Sequence, residues 1–156
     1  MLTRRASQAQ DEPFLRSVYA STRALEIALS GWDAAQAEVF LRMQFDAQHR
    51  HYQAQYPDAR FDVVELDGAA IGRITTMRQP QAIHLIDVAL LPAWQRRGHG
   101  AALLRAVQDE AALDGRGVKL SVQLDNPAQQ LYQRLGFEDV GVAGISRLME
   151  WRPQAR

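Results

Sequence analysis

A buried strand, a glycine-rich loop and a helix follow one another in the segment DVALLPAWQRRGHGAALL, residues 87–104. The strand is almost continuously apolar, as is typical of a strand covered on both faces of a sheet. Gly98 and Gly100 let the backbone approach an anion closely, and the first amides of a helix have no partners inside it. The helix dipole and the side chains of Arg96 and Arg97 add positive potential there. The segment predicts a phosphate site within an α/β fold, although such glycines can also serve only to shape a turn.

Hydrophobic periodicity predicts two helices in the first part of the chain, and the residues before them could form a short strand whose pattern is too brief to establish it. The strand, at residues 2–6, is brief and of mixed composition. The first helix starts at Asp11-Glu12-Pro13, because an acidic cap followed by proline suits a first turn. Ser30-Gly31 interrupts the pattern, after which Asp33 caps a longer helix that Pro57 stops.

From Phe61 the period changes to two, which indicates strands. Asp67-Gly68 joins a β-hairpin, and Pro92 ends a third strand at residues 83–91. The later predicted elements are a helix at 98–113, a strand at 118–124, a short helix from Asn126-Pro127 to Gly136, and a closing hairpin of residues 137–142 and 145–151 around Gly144. A strand, loop, helix and strand in succession favour a parallel pair with a right-handed crossover. The order βααβββαβαββ predicts an α/β fold, with a mixed, mostly antiparallel sheet of six or seven strands flanked by four helices.

Composition narrows the class of protein. The 156 residues are 47% hydrophobic, enough for one core, so we expect a single domain over residues 1–156. Eighteen basic and eighteen acidic residues cancel, which argues against nucleic acid as a partner. The chain has no cysteine, which excludes disulfides, thiolate metal sites and a cysteinyl acyl-enzyme.

No stretch approaches the roughly 18 apolar residues that cross a bilayer. Residues 6–13 lack the apolar run of a signal peptide, so we expect a cytoplasmic protein that starts near Met1, with no membrane partner.

The loop fits a known pattern. Gln95-Arg96-Arg97-Gly98-His99-Gly100 matches Gln/Arg-x-x-Gly-x-Gly/Ala, the pyrophosphate motif of the GNAT N-acetyltransferase superfamily. The strand IDVALLP resembles the family's fourth strand, and Asn126-Pro127-Ala128 with LYQRLGF resembles its late helix. The sequence therefore resembles this superfamily from about Phe61 to Trp151.

The resemblance implies acetyl-coenzyme A as co-substrate, with the fourth and fifth strands splayed so that the pantetheine arm pairs with the backbone near Leu90. Asn126 would contact the pantetheine arm. The residues that would hold the pyrophosphate are Gln95, Arg96, Arg97, Gly98, His99 and Gly100, with Ala101 near the helix start. His99 departs from the more usual residues between the glycines, but only its backbone amide is required.

Two residues are predicted to be catalytic. By resemblance, Tyr132 lies near the sulfur of coenzyme A and Asp87 near the acceptor amine, where it would act as a general base. The alternatives are that Tyr132 is a core aromatic and that Asp87 pairs with Arg73 for structural reasons. Glu65 is a weaker candidate for the base. The acetyl group would pass directly to the amine within a ternary complex, because no cysteine or activated serine is present to carry it.

The acceptor is not readable from the sequence beyond a small-molecule or peptide amine, and a homodimer is an open possibility. Glu26, Trp32, Gln48, His49 and His51 are ambiguous acceptor-side residues. His49 and His51 are two apart on a predicted helix and point in different directions, so we expect no metal site.

Other nucleotide-binding and hydrolase classes lack their signatures. The loop has no third glycine for a GxGxxG dinucleotide motif, and the chain contains no GKS, GKT or Gly-x-Ser-x-Gly sequence. A non-catalytic acyl-coenzyme A sensor is the remaining alternative to an acetyltransferase.

Overall fold

The computed structural model of the chain describes residues Met1–Gln154 and contains a seven-stranded mixed sheet. Its strands are Leu2–Ala6 (β1), Arg60–Leu66 (β2), Ala69–Arg78 (β3), Ala82–Leu90 (β4), Gly117–Gln123 (β5), Glu138–Ala143 (β6) and Ser146–Trp151 (β7). The helices are Glu12–Thr22 (α1), Ala24–Ser30 (α2), Ala34–Gln55 (α3), His99–Leu113 (α4) and Ala128–Arg134 (α5). The strands are hydrogen-bonded in the order β1-β2-β3-β4-β5-β7-β6. The predicted α/β class, mixed sheet and element order are confirmed.

Residues 1–154 contain five α-helices where the sequence predicts four, because the first predicted helix breaks at Arg23. The hydroxyls of Ser21 and Thr22 donate to the carbonyls three residues earlier, at 2.6 Å each, and Arg23 leaves helical geometry with φ −110° and ψ 7°. Such side-chain bonds weaken the helix ladder but do not end a helix by themselves, since Ser17 makes the same bond within α1. The next two predicted boundaries are present: Gly31 ends α2 in the left-handed conformation, and Asp33 caps α3 by accepting the Gln36 amide at 2.8 Å.

The chain divides into two compact units, and β3 and β4 contribute residues to both. The first unit comprises Met1–Thr75 and Asp87–Gln95. In it β1 pairs antiparallel with β2, and α1 packs against α3. The buried side chains of Tyr19 and Phe45 meet edge to face, with ring centroids 6.0 Å apart.

The second unit comprises Thr76–Ile86 and the chain from Arg96 onward. Residues 82–85 of β4 pair in parallel with residues 117–120 of β5, and both strands run on past this pairing. This agrees with the predicted splay. On the other side of β5 lies β7, to which it is antiparallel. Helix α4 packs on β5 and buries one apolar face, made of Leu103, Leu104, Val107 and Ala111. The prediction of a single domain stays a prediction.

No helix within residues 1–154 is both long enough and apolar enough to cross a bilayer.

Candidate active site

The loop before α4 combines two left-handed residues with a helix start. Arg96 has φ 63° and Gly98 has φ 83°, and a non-glycine residue adopts such a conformation only rarely. The first intrahelical bond runs from the Ala102 amide to the Gly98 carbonyl at 3.0 Å. The amides of His99, Gly100 and Ala101 therefore precede the helix ladder, and they are the groups that bind anions at helix starts. Arg96 and Arg97 are exposed beside them in sequence.

Two predicted cofactor residues are in direct contact: Leu90 at the end of β4 and Gln95 in the loop that follows. The side-chain amide of Gln95 donates to the Leu90 carbonyl at 2.8 Å. The amide of Leu91 donates to the Ile71 carbonyl of β3, also at 2.8 Å. Gln95 is thus tied to the strand end at which the pantetheine arm was predicted to pair.

Gly72 allows β3 to approach this part of β4 closely. A Cβ atom at this position would lie 2.3 Å from the Ala89 carbonyl oxygen and 2.7 Å from Cδ2 of Leu90. Separations this short are repulsive, so any side chain would force the strands apart. The sequence does not predict this role, because its signal is a single glycine inside a strand pattern.

The late helix starts as its sequence predicts. Asn126 is exposed, and its side-chain oxygen accepts the Ala128 amide at 2.9 Å, which caps α5. Tyr132 is 8% exposed, and its ring lies edge-on to Phe137 with centroids 5.8 Å apart. Burial and aromatic contact would suit a core residue as well as a catalytic one, so the catalytic role of Tyr132 stays a prediction.

Asp87 lies in an ion pair with Arg73. Nε of Arg73 is 2.7 Å from Oδ2 of Asp87, and the side chains are 11% and 19% exposed. The Nε–H group does not align as a hydrogen bond to this oxygen, so the contact is mainly electrostatic. One of the alternatives left open by the sequence, a pair between Asp87 and Arg73, is therefore present. It does not exclude a catalytic role, because a paired carboxylate can still face a pocket.

A pocket does open beside this pair. The empty space between its lining atoms, counted out to open solvent, is about 440 Å³. Its polar lining includes Gln48, His49, Tyr52, Asp62, Arg73 and Asp87, and its apolar lining includes Leu15, Phe45 and Phe61. Burial, together with the smaller effect of the negative charge of Asp87, raises the pKa of Tyr52 to about 12. Tyr52 therefore remains a neutral hydroxyl at physiological pH.

The ambiguous residues separate into two groups. Gln48 and His49 line the pocket, and the His49 ring stacks on Phe45 with centroids 6.2 Å apart. His51 and Glu26 are exposed, and Glu26 pairs with Arg23 at 2.7 Å. Trp32, the remaining one, packs on Phe40. Glu65, the weaker candidate for the base, pairs with Arg5.

The sequence does not predict that Tyr52 lines a pocket, because the spacing of Tyr52 indicates only a position on a helix. Across residues 1–154, no three His, Asp or Glu side chains are grouped so that they could hold a metal ion.

A family model and a relative of known type both match this sequence. The family model described as "Acetyltransferase (GNAT) domain" matches residues 57–139, slightly more than half of the chain. An N-alpha-acetyltransferase of Sulfurisphaera tokodaii is 32% identical over 100 residues, which cover 54% of this chain and 60% of that relative. The match therefore spans less than two thirds of the relative's length.

Solved structures share the fold. PaiA N-acetyltransferase from Thermoplasma acidophilum, in complex with coenzyme A, matches with a TM-score of 0.71 at 19% identity, over 98% of this chain and 99% of that chain. The ribosomal-protein-S18-alanine N-acetyltransferase from Escherichia coli matches with a TM-score of 0.62 at 20% identity, over 97% and 94% of the two chains. At these identities the likeness concerns the fold.

Proposed function

The chain belongs to the GNAT acetyltransferase family, and we propose that it transfers an acetyl group from acetyl-coenzyme A to a primary amine. The observation that carries this proposal is the start of α4. Three backbone amides precede the helix ladder there, directly after a left-handed glycine and two exposed arginines. Such a start suits a pyrophosphate, since the amides, the helix dipole and the guanidinium groups all favour negative charge.

The residues that would hold acetyl-coenzyme A fall into two groups. Arg96, Arg97, Gly98, His99, Gly100 and Ala101 would bind the pyrophosphate, together with Gln95. Leu90 and Asn126 would contact the pantetheine arm. The backbone of Leu90 would hydrogen-bond to the arm as it would to a neighbouring strand.

The bound thioester would supply an activated acetyl group. The amine nitrogen forms a bond to the acetyl carbon, the carbon–sulfur bond breaks, and coenzyme A leaves as a thiol. Asp87 would take up the proton that the amine loses, directly or through water, and Tyr132 would donate a hydrogen bond or proton to the departing sulfur. Transfer is direct in a ternary complex, since the chain has no cysteine to carry the group.

We further propose that the acceptor is a small-molecule or peptide amine and that its amine reaches Asp87 through the pocket described above. The balance of 18 basic and 18 acidic residues supports a protein without nucleic acid or membrane as partner. A cytoplasmic location and a homodimer belong to the same proposal.

A panel of amines, scored by release of the free coenzyme A thiol, tests the function. Turnover with any acceptor, confirmed by the mass of the acetylated product, supports an acetyltransferase. Tight binding of acetyl-coenzyme A with no turnover across amino acids, peptides, polyamines and aminoglycosides would instead indicate an acyl-coenzyme A sensor.

A further inference from the structure

Arg73 is a buried guanidinium with few acceptors for its protons. The residue is 9% exposed, and a guanidinium carries five N–H donors. Among residues 1–154, its hydrogen bonds to protein amount to one at 3.5 Å, to Oε1 of Gln48, and its Nε has none. Nε is 2.7 Å from Oδ2 of Asp87 but is not aligned with it. Because buried polar groups are normally hydrogen-bonded, so weakly bonded a guanidinium is suited to bind an oxygen of a ligand in the pocket that Arg73 lines.

The charged groups of this pocket do not favour a polycation. The carboxylate of Asp87 is already opposed by Arg73. The second carboxylate, Asp62, has a fully buried side chain that contacts Arg4 at 3.1 Å and Arg60 at 2.8 Å. A ligand with two ammonium groups would therefore bring one of them close to a buried positive charge without a spare carboxylate to offset it.

We propose that Arg73 binds the oxygen of an α-aminoacyl group whose amine lies at Asp87, which makes the acceptor a free α-amino acid or the N-terminus of a peptide. This inference rests on the proposed function. Standard bond lengths place the amine nitrogen and the carbonyl oxygen of such a group about 3 Å apart. The facing atoms of Arg73 and Asp87 are 2.7 Å apart, so one α-aminoacyl group can contact both side chains.

The chemistry of the amine is compatible with this assignment. The α-amino group of a peptide N-terminus has a pKa of about 8, against about 10.4 for a lysine side chain, so more of it is unprotonated and nucleophilic at neutral pH. Tyr52, whose hydroxyl stays neutral, adds a donor and an acceptor to the same pocket without adding charge.

The test compares acceptors that differ in the oxygen next to the amine. The rate of coenzyme A thiol release is measured with alaninamide, alanine, isopropylamine and 1,4-diaminobutane, each expressed per concentration of unprotonated amine. The parent is compared with Arg73→Gln and Arg73→Lys. The control is Arg78→Gln, which removes an arginine bonded to Glu110 at 2.6 Å, a pair that does not line the pocket.

For the parent we expect kcat/KM for alaninamide or alanine to exceed that for isopropylamine by about 10- to 100-fold, the range for hydrogen bonds to a charged group. Arg73→Gln should reduce this ratio to near one, chiefly through KM, while Arg78→Gln leaves it unchanged. Arg73→Lys keeps the charge but not the planar fork and should reduce the ratio at least threefold. Since both acceptors are measured on one sample, the ratio of their kcat/KM values does not depend on the fraction of protein that is folded. If Arg73→Gln does not fold, the ratio measured with Arg73→Lys tests the inference instead.

Two results overturn the inference: a parent that accepts isopropylamine or 1,4-diaminobutane as readily as alaninamide, or a ratio that Arg73→Gln and Arg73→Lys leave intact. If kcat/KM is higher for alanine than for alaninamide, the acceptors are free amino acids. If it is higher for alaninamide, the acceptors are peptide N-termini.

Calorimetric titration of alaninamide and isopropylamine into the coenzyme A-loaded protein separates this inference from the function. If no amine is turned over, the proposed function fails. The inference then stands if alaninamide binds more tightly than isopropylamine in the parent and Arg78→Gln but not in the Arg73 variants, and it falls if the two amines bind equally.

Discussion

The side-chain amide of Gln95 is hydrogen-bonded to the Leu90 carbonyl at 2.8 Å. Both residues belong to the predicted cofactor site, one for the pyrophosphate and one for the pantetheine arm. The bond closes the short segment Leu90–Gln95 on itself, so the strand end and the entrance to the loop are held together before any ligand binds. A carbonyl oxygen has two lone pairs and can accept a second hydrogen bond while this one persists.

Replacing Gln95 should therefore weaken cofactor binding more than it weakens the fold. We expect Gln95→Ala to raise the Kd for acetyl-coenzyme A by about 2- to 12-fold, since one hydrogen bond typically contributes about 1 ± 0.5 kcal/mol. Isothermal titration measures the change. Gln81→Ala, which alters an exposed glutamine of the turn before β4, is the control and should leave Kd unchanged. Equal affinity in parent and Gln95→Ala would show that the bond has no part in the site.

Gly72 should be intolerant of any side chain. Its Cβ would lie 2.3 Å from a backbone oxygen, which cannot rotate away as a side chain can. We expect Gly72→Ala to lower the free energy of unfolding by about 1–3 kcal/mol, the usual cost of overpacking, and to weaken acetyl-coenzyme A binding because Leu90 must move. Urea denaturation and titration measure the two effects. Ala69→Ser, an exposed change on the same strand, is the control. A fully stable Gly72→Ala protein would contradict the close approach.

The sequence predicts those features that depend on neighbours along the chain. The hairpin at Asp67-Gly68, the cap at Asp33 and the start of α4 all follow from local turn and cap chemistry, and all are present. What it does not predict depends on contacts between distant residues. Hydrophobic alternation cannot reveal that β7 rather than β6 lies beside β5. Nor can it reveal that Tyr52 of α3 shares a pocket with Asp87 of β4.

The break at Arg23 is a local feature of the chain, yet the sequence does not predict it. No glycine or proline marks it, and the side-chain hydroxyls that accompany it are compatible with a continuous helix as well. The Arg73–Asp87 pair was an alternative in the sequence, but only the structure shows it to be buried beside a pocket.

Tyr132→Phe tests the predicted role of Tyr132 as the donor of a hydrogen bond or proton to the departing sulfur. The substitution removes a hydroxyl and keeps the ring that packs on Phe137, so the fold and the affinity for acetyl-coenzyme A should be nearly unchanged. We expect kcat to fall by about tenfold to a few hundredfold, the lower part of the range for positioned acids. Single-turnover rates measure the effect, with Tyr56→Phe as the hydroxyl control. A parental rate in Tyr132→Phe would assign Tyr132 to packing and the proton to water or to the amine itself.

Acid should destabilise the fold partly through Asp11. The Arg5 guanidinium donates two hydrogen bonds of 2.8 Å to this carboxylate, and these, with the Gln8 amide, hold its pKa at about 2, below the ordinary 3.8. A carboxylate with a lowered pKa contributes stability above its unfolded pKa and loses that contribution as the pH falls from about 4 to about 2. Urea midpoints over this window should fall less in Asp11→Asn than in the parent. Asp58→Asn, at an exposed aspartate, should behave as the parent does. Parallel pH profiles for Asp11→Asn and the parent would contradict the lowered pKa.

Thermal stabilisation by acetyl-coenzyme A tests the central claim, which is that the loop before α4 binds this co-substrate. A ligand that binds only the native state at a hundredfold excess over Kd stabilises it by about 2.7 kcal/mol, so the parent's Tm should rise clearly at millimolar acetyl-coenzyme A. Gly100→Val should largely abolish the rise while melting near the parent's own Tm, because valine fits a helix about as well as glycine but would occupy the space of the pyrophosphate. Gly98 is a poorer choice, since its φ of 83° would strain any other residue. The exposed Ala102→Val of the same helix is the control and should retain the full rise. A flat Tm in the parent, or an undiminished rise in Gly100→Val, would contradict the assignment.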